Sequence, residues 1–87
     1  MRQLGCFFGA IMRKTLTATI WREGDGFVSL CPELDIASQG DTVEEARTNL
    51  REAVELFFEV AHPNEIGERL NPEVYVTAME VEFGAIA

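Results

Sequence analysis

The sequence predicts an α+β domain in which a three-stranded antiparallel meander is followed by one helix and then a fourth strand. Two features carry this prediction. Residues 15–38 contain short segments of β-branched and apolar residues separated by turn residues, which is typical of hairpins. Residues 43–61 then change to apolar spacings of three and four, which is typical of a helix that packs one face on a sheet.

The first three strands are bounded by turn residues. Residues 15–21 alternate threonine with apolar side chains and predict a strand with one buried face. Residues 23–26 include two glycines that allow a tight hairpin, and residues 27–31 predict the return strand. Pro32 ends that strand because proline has no N–H for the ladder. Residues 35–38 predict a short third strand.

The helix is predicted over residues 43–61. Thr42 can cap its start, and Glu45 three residues later completes a capping box. The helix stops at His62 and Pro63, because a residue that precedes proline avoids the α region. We expect His62 either to bond free carbonyls at this helix end or to be an exposed surface residue, and not to act in catalysis. The apolar stripe comprises Val43, Ala46, Leu50, Ala53, Val54, Phe57 and Ala61, with Phe58 beside it.

The remaining chain predicts a loop and a last strand. Residues 63–72 are polar and allow one helical turn near residues 65–70, and residues 74–83 predict the fourth strand. Both sides of that strand carry apolar residues, so the side that contacts the helix stays open. A single helix leaves one sheet face uncovered. We expect Trp21 and Phe27 on that face, either as a protein interface or as scattered surface aromatics.

The composition bounds the function. A chain of 87 residues has room for one domain, predicted over residues 12–87. Its net charge of −8 repels nucleic-acid phosphate, so no direct nucleic-acid binding is expected. That charge either attracts a basic protein partner or only keeps the domain soluble. Glu33 and Asp35 flank the turn after the second strand and are candidate contacts for a basic partner, or solvated turn residues.

No residue pattern points to catalysis, a cofactor or a metal. Cys6 and Cys31 form no CxxC motif, and free cytoplasmic thiols are favoured over a disulfide between them. Ser29 and Ser38 lack the glycines of a nucleophile elbow. The glutamates of the helix are spaced as a solvated face. We therefore predict a cytoplasmic binding protein and not an enzyme.

The N-terminal residues 1–11 form a separate question. Their apolar run is too short to span a bilayer, which takes roughly 20 residues. Met12 is followed at once by the first predicted strand and resembles a natural chain start. Residues 1–11 are therefore predicted to be an upstream extension or a disordered segment, with an added edge strand or an arm on a neighbouring subunit as the alternative.

The order of motifs resembles the HicB-like antitoxin family. The resemblance covers about residues 13–60 and rests on a set of turn, cap and helix residues: Gly26, Pro32, Glu33, Leu34, Ser38, Gln39, Gly40, Asp41, Thr42, Glu45, Ala46, Ala53 and Glu55. It implies a truncated ribonuclease-H-like β-β-β-α-β fold. The acidic metal ligands of true ribonucleases H are not recognisable, and residues 15–21 contain no carboxylate.

The resemblance implies a non-catalytic domain that self-associates as a homo-oligomer and binds a small basic ribonuclease toxin. Many members of that family also carry a DNA-binding segment at the C-terminus, for which the sequence after residue 83 leaves no room. Two alternatives stay open. One is an orphan self-assembling domain that binds another protein or a ligand, and the other is a residual metal-dependent nuclease.

Overall fold

The computed structural model describes residues 13–84 and shows an α+β fold with a three-stranded antiparallel sheet and two helices. The predicted extension over residues 1–11 lies outside the described part of the chain. The strands are β1 (Thr19–Glu23), β2 (Gly26–Cys31) and β3 (Ile36–Gly40), and the helices are α1 (Val43–Val60) and α2 (Pro63–Arg69). The predicted meander and main helix are therefore confirmed.

The register of the sheet decides which side chains share a face. β2 is the central strand; Ser29 pairs with Ile20 of β1 and with Ser38 of β3. The hydroxyl of the fully buried Ser29 donates to the Ala46 carbonyl of α1 at 2.8 Å. Because side chains alternate along a strand and directly paired residues share a face, the position of Ser29 assigns the helix-covered face.

β1 begins later than the sequence predicts, at Thr19 and not at residue 15. Pro32 and the turn after it end β2 at Cys31, so the residues before Thr19 have no ladder partner. β1 also ends later than predicted, at Glu23 and not at residue 21. The observed strand therefore carries a carboxylate at its end.

The start of α1 shows how Thr42 and Glu45 stop the chain from fraying. The Thr42 hydroxyl accepts a hydrogen bond from the Glu45 N–H at 3.0 Å, as the capping pattern predicts. The Glu45 carboxylate returns the contact one residue earlier than expected, because it accepts from the Asp41 N–H at 2.5 Å. The first of these bonds satisfies an N–H group that the first helical turn leaves without a partner, and the second fixes the residue before the cap.

In place of the predicted single helical turn, the structure has the seven-residue helix α2. His62 is the N-cap residue that precedes it. The imidazole Nδ1 of His62 accepts from the Asn64 N–H at 3.0 Å, with Pro63 in the first helical position. The expectation that His62 bonds the end of α1 is therefore wrong. Ala61 occupies that end, and the imidazole acts as an acceptor for the next helix.

The core lies between α1 and β2. Cys31, Leu34, Ala46 and Leu50 are buried, and six partly buried residues pack against this centre: Leu16, Ile36, Val54, Phe57, Phe58 and Leu70. α2 is tied to the same core, because the Arg69 guanidinium donates to the Leu34 carbonyl at 2.6 Å. Leu70 is the last of these core residues in the sequence.

The structure does not show the predicted fourth strand. Within the described residues, the sheet has three strands and residues 71–84 pair with none of them. A strand needs a partner edge for its N–H and C=O groups, and the segment after Leu70 does not lie beside either edge. The described residues extend 65 Å along their longest axis, and their radius of gyration of 17.1 Å exceeds the roughly 12 Å of a compact chain.

Candidate protein interface

The face of the sheet away from α1 is uncovered and partly apolar. We call it the open face; it comprises Thr19, Trp21, Val28, Leu30, Ala37 and Gln39. Trp21 is paired with Val28 and Thr19 with Leu30, so four of these side chains lie on two adjacent strands. In the described part of the chain no helix or strand packs over them.

Trp21 is the largest side chain of the open face. It is 41% exposed, and its indole N–H donates to the Glu23 carboxylate at 3.0 Å along the same strand. The polar edge of the ring is therefore satisfied while the rest of the ring contacts solvent. An aromatic ring of this kind is a common anchor at protein interfaces.

Phe27 does not lie on the open face, contrary to the sequence-based expectation. It pairs with Arg22 and precedes Ser29 by two positions, which places it on the side covered by α1. The Arg22 guanidinium carbon lies 4.6 Å from the centroid of the Phe27 ring. This geometry is a cation–π contact, so Phe27 is covered by its own chain.

Glu33 is a buried residue and not a surface contact. It is only 7% exposed, and its carboxylate accepts hydrogen bonds from Thr17 and from the Cys31 thiol. Burial by itself raises the pKa of Glu33. The hydrogen bonds from the Thr17 hydroxyl and the nearby N–H groups lower it by more, so the net pKa is below its usual value. The carboxylate is therefore held charged and is already occupied.

Asp35 is exposed and keeps its place as a candidate contact. Its N–H donates to the Cys31 carbonyl at 2.8 Å, which closes the turn between β2 and β3. The turn holds Asp35 at φ 58°, in the left-handed region that aspartate tolerates better than most residues. A structural role in the turn is thus established beside any contact with a partner.

A second surface, on α1, was not predicted from the sequence. Leu56 and Val60 are 58% and 73% exposed, and they lie one turn apart on the side of α1 away from the core. Glu52 lies one turn before Leu56 on the same side of the helix, and Glu55, also exposed, lies about a quarter-turn around the helix from Leu56. We call these four residues the outer face of α1. The four-residue spacing of Glu52, Leu56 and Val60 predicts that they share one side of the helix. The apolar stripe of the buried side is the stronger pattern in the sequence.

The largest group of exposed apolar residues lies after α2. Tyr75, Val76, Met79, Val81 and Phe83 are between 65% and 84% exposed. Apolar residues occur on both sides of this segment, and all of them except the half-buried Val74 are exposed. We call residues 74–83 the C-terminal segment.

Charge is distributed over the whole surface. Of the fifteen acidic residues only Glu33 is buried, and the others are exposed. Among residues 13–84, no three His, Cys, Asp or Glu side chains are grouped in a way that could hold a metal ion. Within that same range, neither helix has the length and apolarity needed to cross a bilayer.

Comparison of the chain with protein families, curated proteins and solved structures finds no match in any of the three.

Proposed function

We propose that the chain is a non-catalytic, HicB-like antitoxin domain that self-associates and inhibits a small basic ribonuclease by binding it. The observation that carries this proposal is the outer face of α1, where acidic and apolar side chains are exposed side by side. Glu52 and Glu55 provide charge, and Leu56 and Val60 provide apolar area. A protein partner uses both, since charge guides association and buried apolar groups retain the complex.

The net charge supports a basic partner. Fifteen acidic residues face seven basic ones in the sequence, and the exposed carboxylates create a field that attracts a cationic protein before contact. The only buried carboxylate, Glu33, is held by hydrogen bonds within the domain and is not needed for this field. A surface of this sign competes with RNA for the cationic groups of a ribonuclease.

The observed element order is consistent with the truncated ribonuclease-H-like fold of the proposed family. The described chain folds as β-β-β-α-α, and residues 74–83 have the composition expected of the missing strand. Residues 19–22 of β1 carry no carboxylate, and Glu23 at its end accepts a bond from Trp21. These features support a domain that binds without catalysing.

The test requires a small basic ribonuclease whose gene lies beside the gene for this chain, and it measures whether the chain inhibits RNA cleavage by that ribonuclease. We expect inhibition to be complete near equimolar protein. Glu55→Lys should weaken it at least about fivefold, because the reversed charge lies on the proposed contact surface. Asp25→Lys, in the exposed hairpin turn, makes the same change in net charge and should alter inhibition less than about twofold.

Two results would contradict the proposal. One is undiminished cleavage at a large excess of the chain, which would favour an orphan self-assembling domain. The other is magnesium-dependent RNA cleavage by the chain itself, which would favour a residual nuclease. An equal loss of inhibition in Glu55→Lys and Asp25→Lys would mean that net charge, and not the outer face of α1, sets the affinity.

A further inference from the structure

We infer that the C-terminal segment of one chain pairs as a strand with β1 of a second copy, so that two chains exchange segments and complete each other's sheets. This inference deepens the self-association in the proposed function and rests on it. It specifies which two parts of the chain meet and why the partner is another copy of the same chain.

The first observation is the character of the C-terminal segment. Valine, tyrosine, threonine and phenylalanine make up six of residues 74–83, and these residue types favour strands. Apolar residues as exposed as Tyr75 at 82% and Met79 at 84% are unusual on a small domain unless something covers them. The segment therefore has the composition of a strand without the pairing of one.

The second observation is that the two edges of the sheet differ. On the β3 edge, the Asn49 side-chain amide donates to the Gln39 carbonyl at 2.8 Å and so occupies part of that edge. On the β1 edge, no hydrogen bond from the described residues reaches the backbone of Thr19–Glu23 except through its ladder with β2. β1 is therefore the edge at which a further strand can add.

The third observation is that the body of the same chain does not offer this edge to its own segment. Asn71 is fixed by a hydrogen bond from its N–H to the Glu33 carbonyl at 2.7 Å, and the chain leaves the core after that point. Residues 74–83 pair with no strand of the described sheet, and ten residues in a fully extended conformation would reach about 33 Å. A second chain can meet a segment placed in this way.

The area involved is sufficient for a stable dimer. Three large side chains, those of Tyr75, Met79 and Phe83, and two valines expose on the order of 600 Å² per segment. Two exchanged segments would remove roughly 1,200 Å² before the surfaces that they cover are counted, which reaches the range of specific interfaces. Because Trp21 of the open face lies on the edge strand β1, an added strand also brings apolar side chains beside Trp21 and extends the same surface.

The first test compares two variants at one exposed position. Thr77→Pro removes an N–H and fixes φ within the segment, so it opposes strand pairing, whereas Thr77→Val keeps the strand propensity. Thr77 has no contact with the core, so both variants should fold alike by circular dichroism. By light scattering we expect a dimer for the native chain and Thr77→Val, and at least about a tenfold weaker dimer for Thr77→Pro.

The second test separates exchange between chains from pairing within one chain. In a Cys6→Ser background, Thr19→Cys is placed in one chain and Thr77→Cys in another, and the two are mixed and treated with a short bis-maleimide. Cys31 is only 1% exposed, so the Cys6→Ser chain alone gives the background. We expect a crosslink between the two different variants in the mixture.

Three outcomes would overturn the inference. The first is a native chain that is monomeric at high concentration, and the second is a dimer that Thr77→Pro leaves unchanged. The third is a crosslink that forms within a single chain carrying both Thr19→Cys and Thr77→Cys but not between the two variants in the mixture. None of these depends on the ribonuclease assay, so failure of the exchange and failure of toxin inhibition are distinguishable.

Discussion

The Glu33 carboxylate takes the place of a missing ladder partner for Thr17. The Thr17 N–H is shared between the two carboxylate oxygens at 3.0 and 3.1 Å, and the Thr17 hydroxyl donates to one of them at 2.7 Å. Pro32 and the following turn end β2 just before this point, so a side chain supplies the acceptor that a strand would have supplied. Glu33 thereby joins the start of the described chain to the turn between β2 and β3.

Glu33 should make the fold sensitive to acid. Since folding lowers the pKa of Glu33, its contribution to stability is present above the unfolded pKa of about 4.3. That contribution is lost as the pH falls through the lower, folded pKa. Glu33→Gln removes the charge with little change in shape and should lower the free energy of unfolding by about 1–3 kcal/mol at pH 7.

The measurement is the urea midpoint of the native chain and of Glu33→Gln between pH 3 and 7. We expect the difference between the two to be largest at neutral pH and to shrink as the pH falls below about 4.3. A difference that stays constant over this range would show that the Glu33 charge does not contribute.

Gly40 should tolerate no side chain, because the start of α1 lies directly against it. A Cβ at Gly40 would lie 2.6 Å from the Ala46 nitrogen and 2.8 Å from the Glu45 carbonyl carbon, both backbone atoms. Gly40→Ala should therefore lower the free energy of unfolding by about 1–3 kcal/mol. Its control is Gly67→Ala in α2, where a Cβ meets nothing within 4 Å and should stabilise by about 0.5–1 kcal/mol.

Urea denaturation of both glycine variants checks this packing. The two substitutions add the same methyl group, so opposite signs are the expected result. If Gly40→Ala were as stable as the native chain, the close contact between β3 and α1 would not exist in solution.

Cys31 should be unreactive while the domain is folded. Burial raises the pKa of its thiol, nearby N–H groups lower it, and the hydrogen bond and charge of Glu33 raise it. The net pKa is above its usual value. A thiol that is both protonated and 1% exposed reacts slowly. In a Cys6→Ser chain at pH 8, alkylation of Cys31 should be at least about a hundredfold slower in buffer than in denaturing urea.

Rapid alkylation in buffer would contradict the burial of Cys31 between β2 and α1. The denatured sample serves as its own control, since it shows the rate at which the same thiol reacts when it is exposed. Mass spectrometry of the labelled chain gives both rates directly.

The main helix was predictable because several local signals agree. The apolar stripe, the Thr42 cap and the stop before Pro63 place α1 within one residue of its observed end. The hairpins were predictable for the same reason, since Pro and Gly mark their turns. Strand boundaries were less so, because the start of β1 depends on where β2 ends and not on its own residues.

The site residues were harder to predict because they depend on which face α1 covers. Phe27 and Trp21 lie on opposite faces, which only the register of the strands decides, and the small Ser29, not the larger Val28, lies under the helix. Glu33 was read as a surface residue because a buried carboxylate needs donors that are distant in sequence, here sixteen positions away. The C-terminal segment has the pattern of a strand, but a pattern cannot say which chain holds its partner.

The most direct test of the account is hydrogen exchange of the amides of residues 74–83 at several protein concentrations. We predict that these amides exchange freely in dilute solution and become protected as the concentration rises, because a second copy supplies the partner strand. Amides that stay unprotected at every concentration, or that are equally protected at all of them, would contradict it.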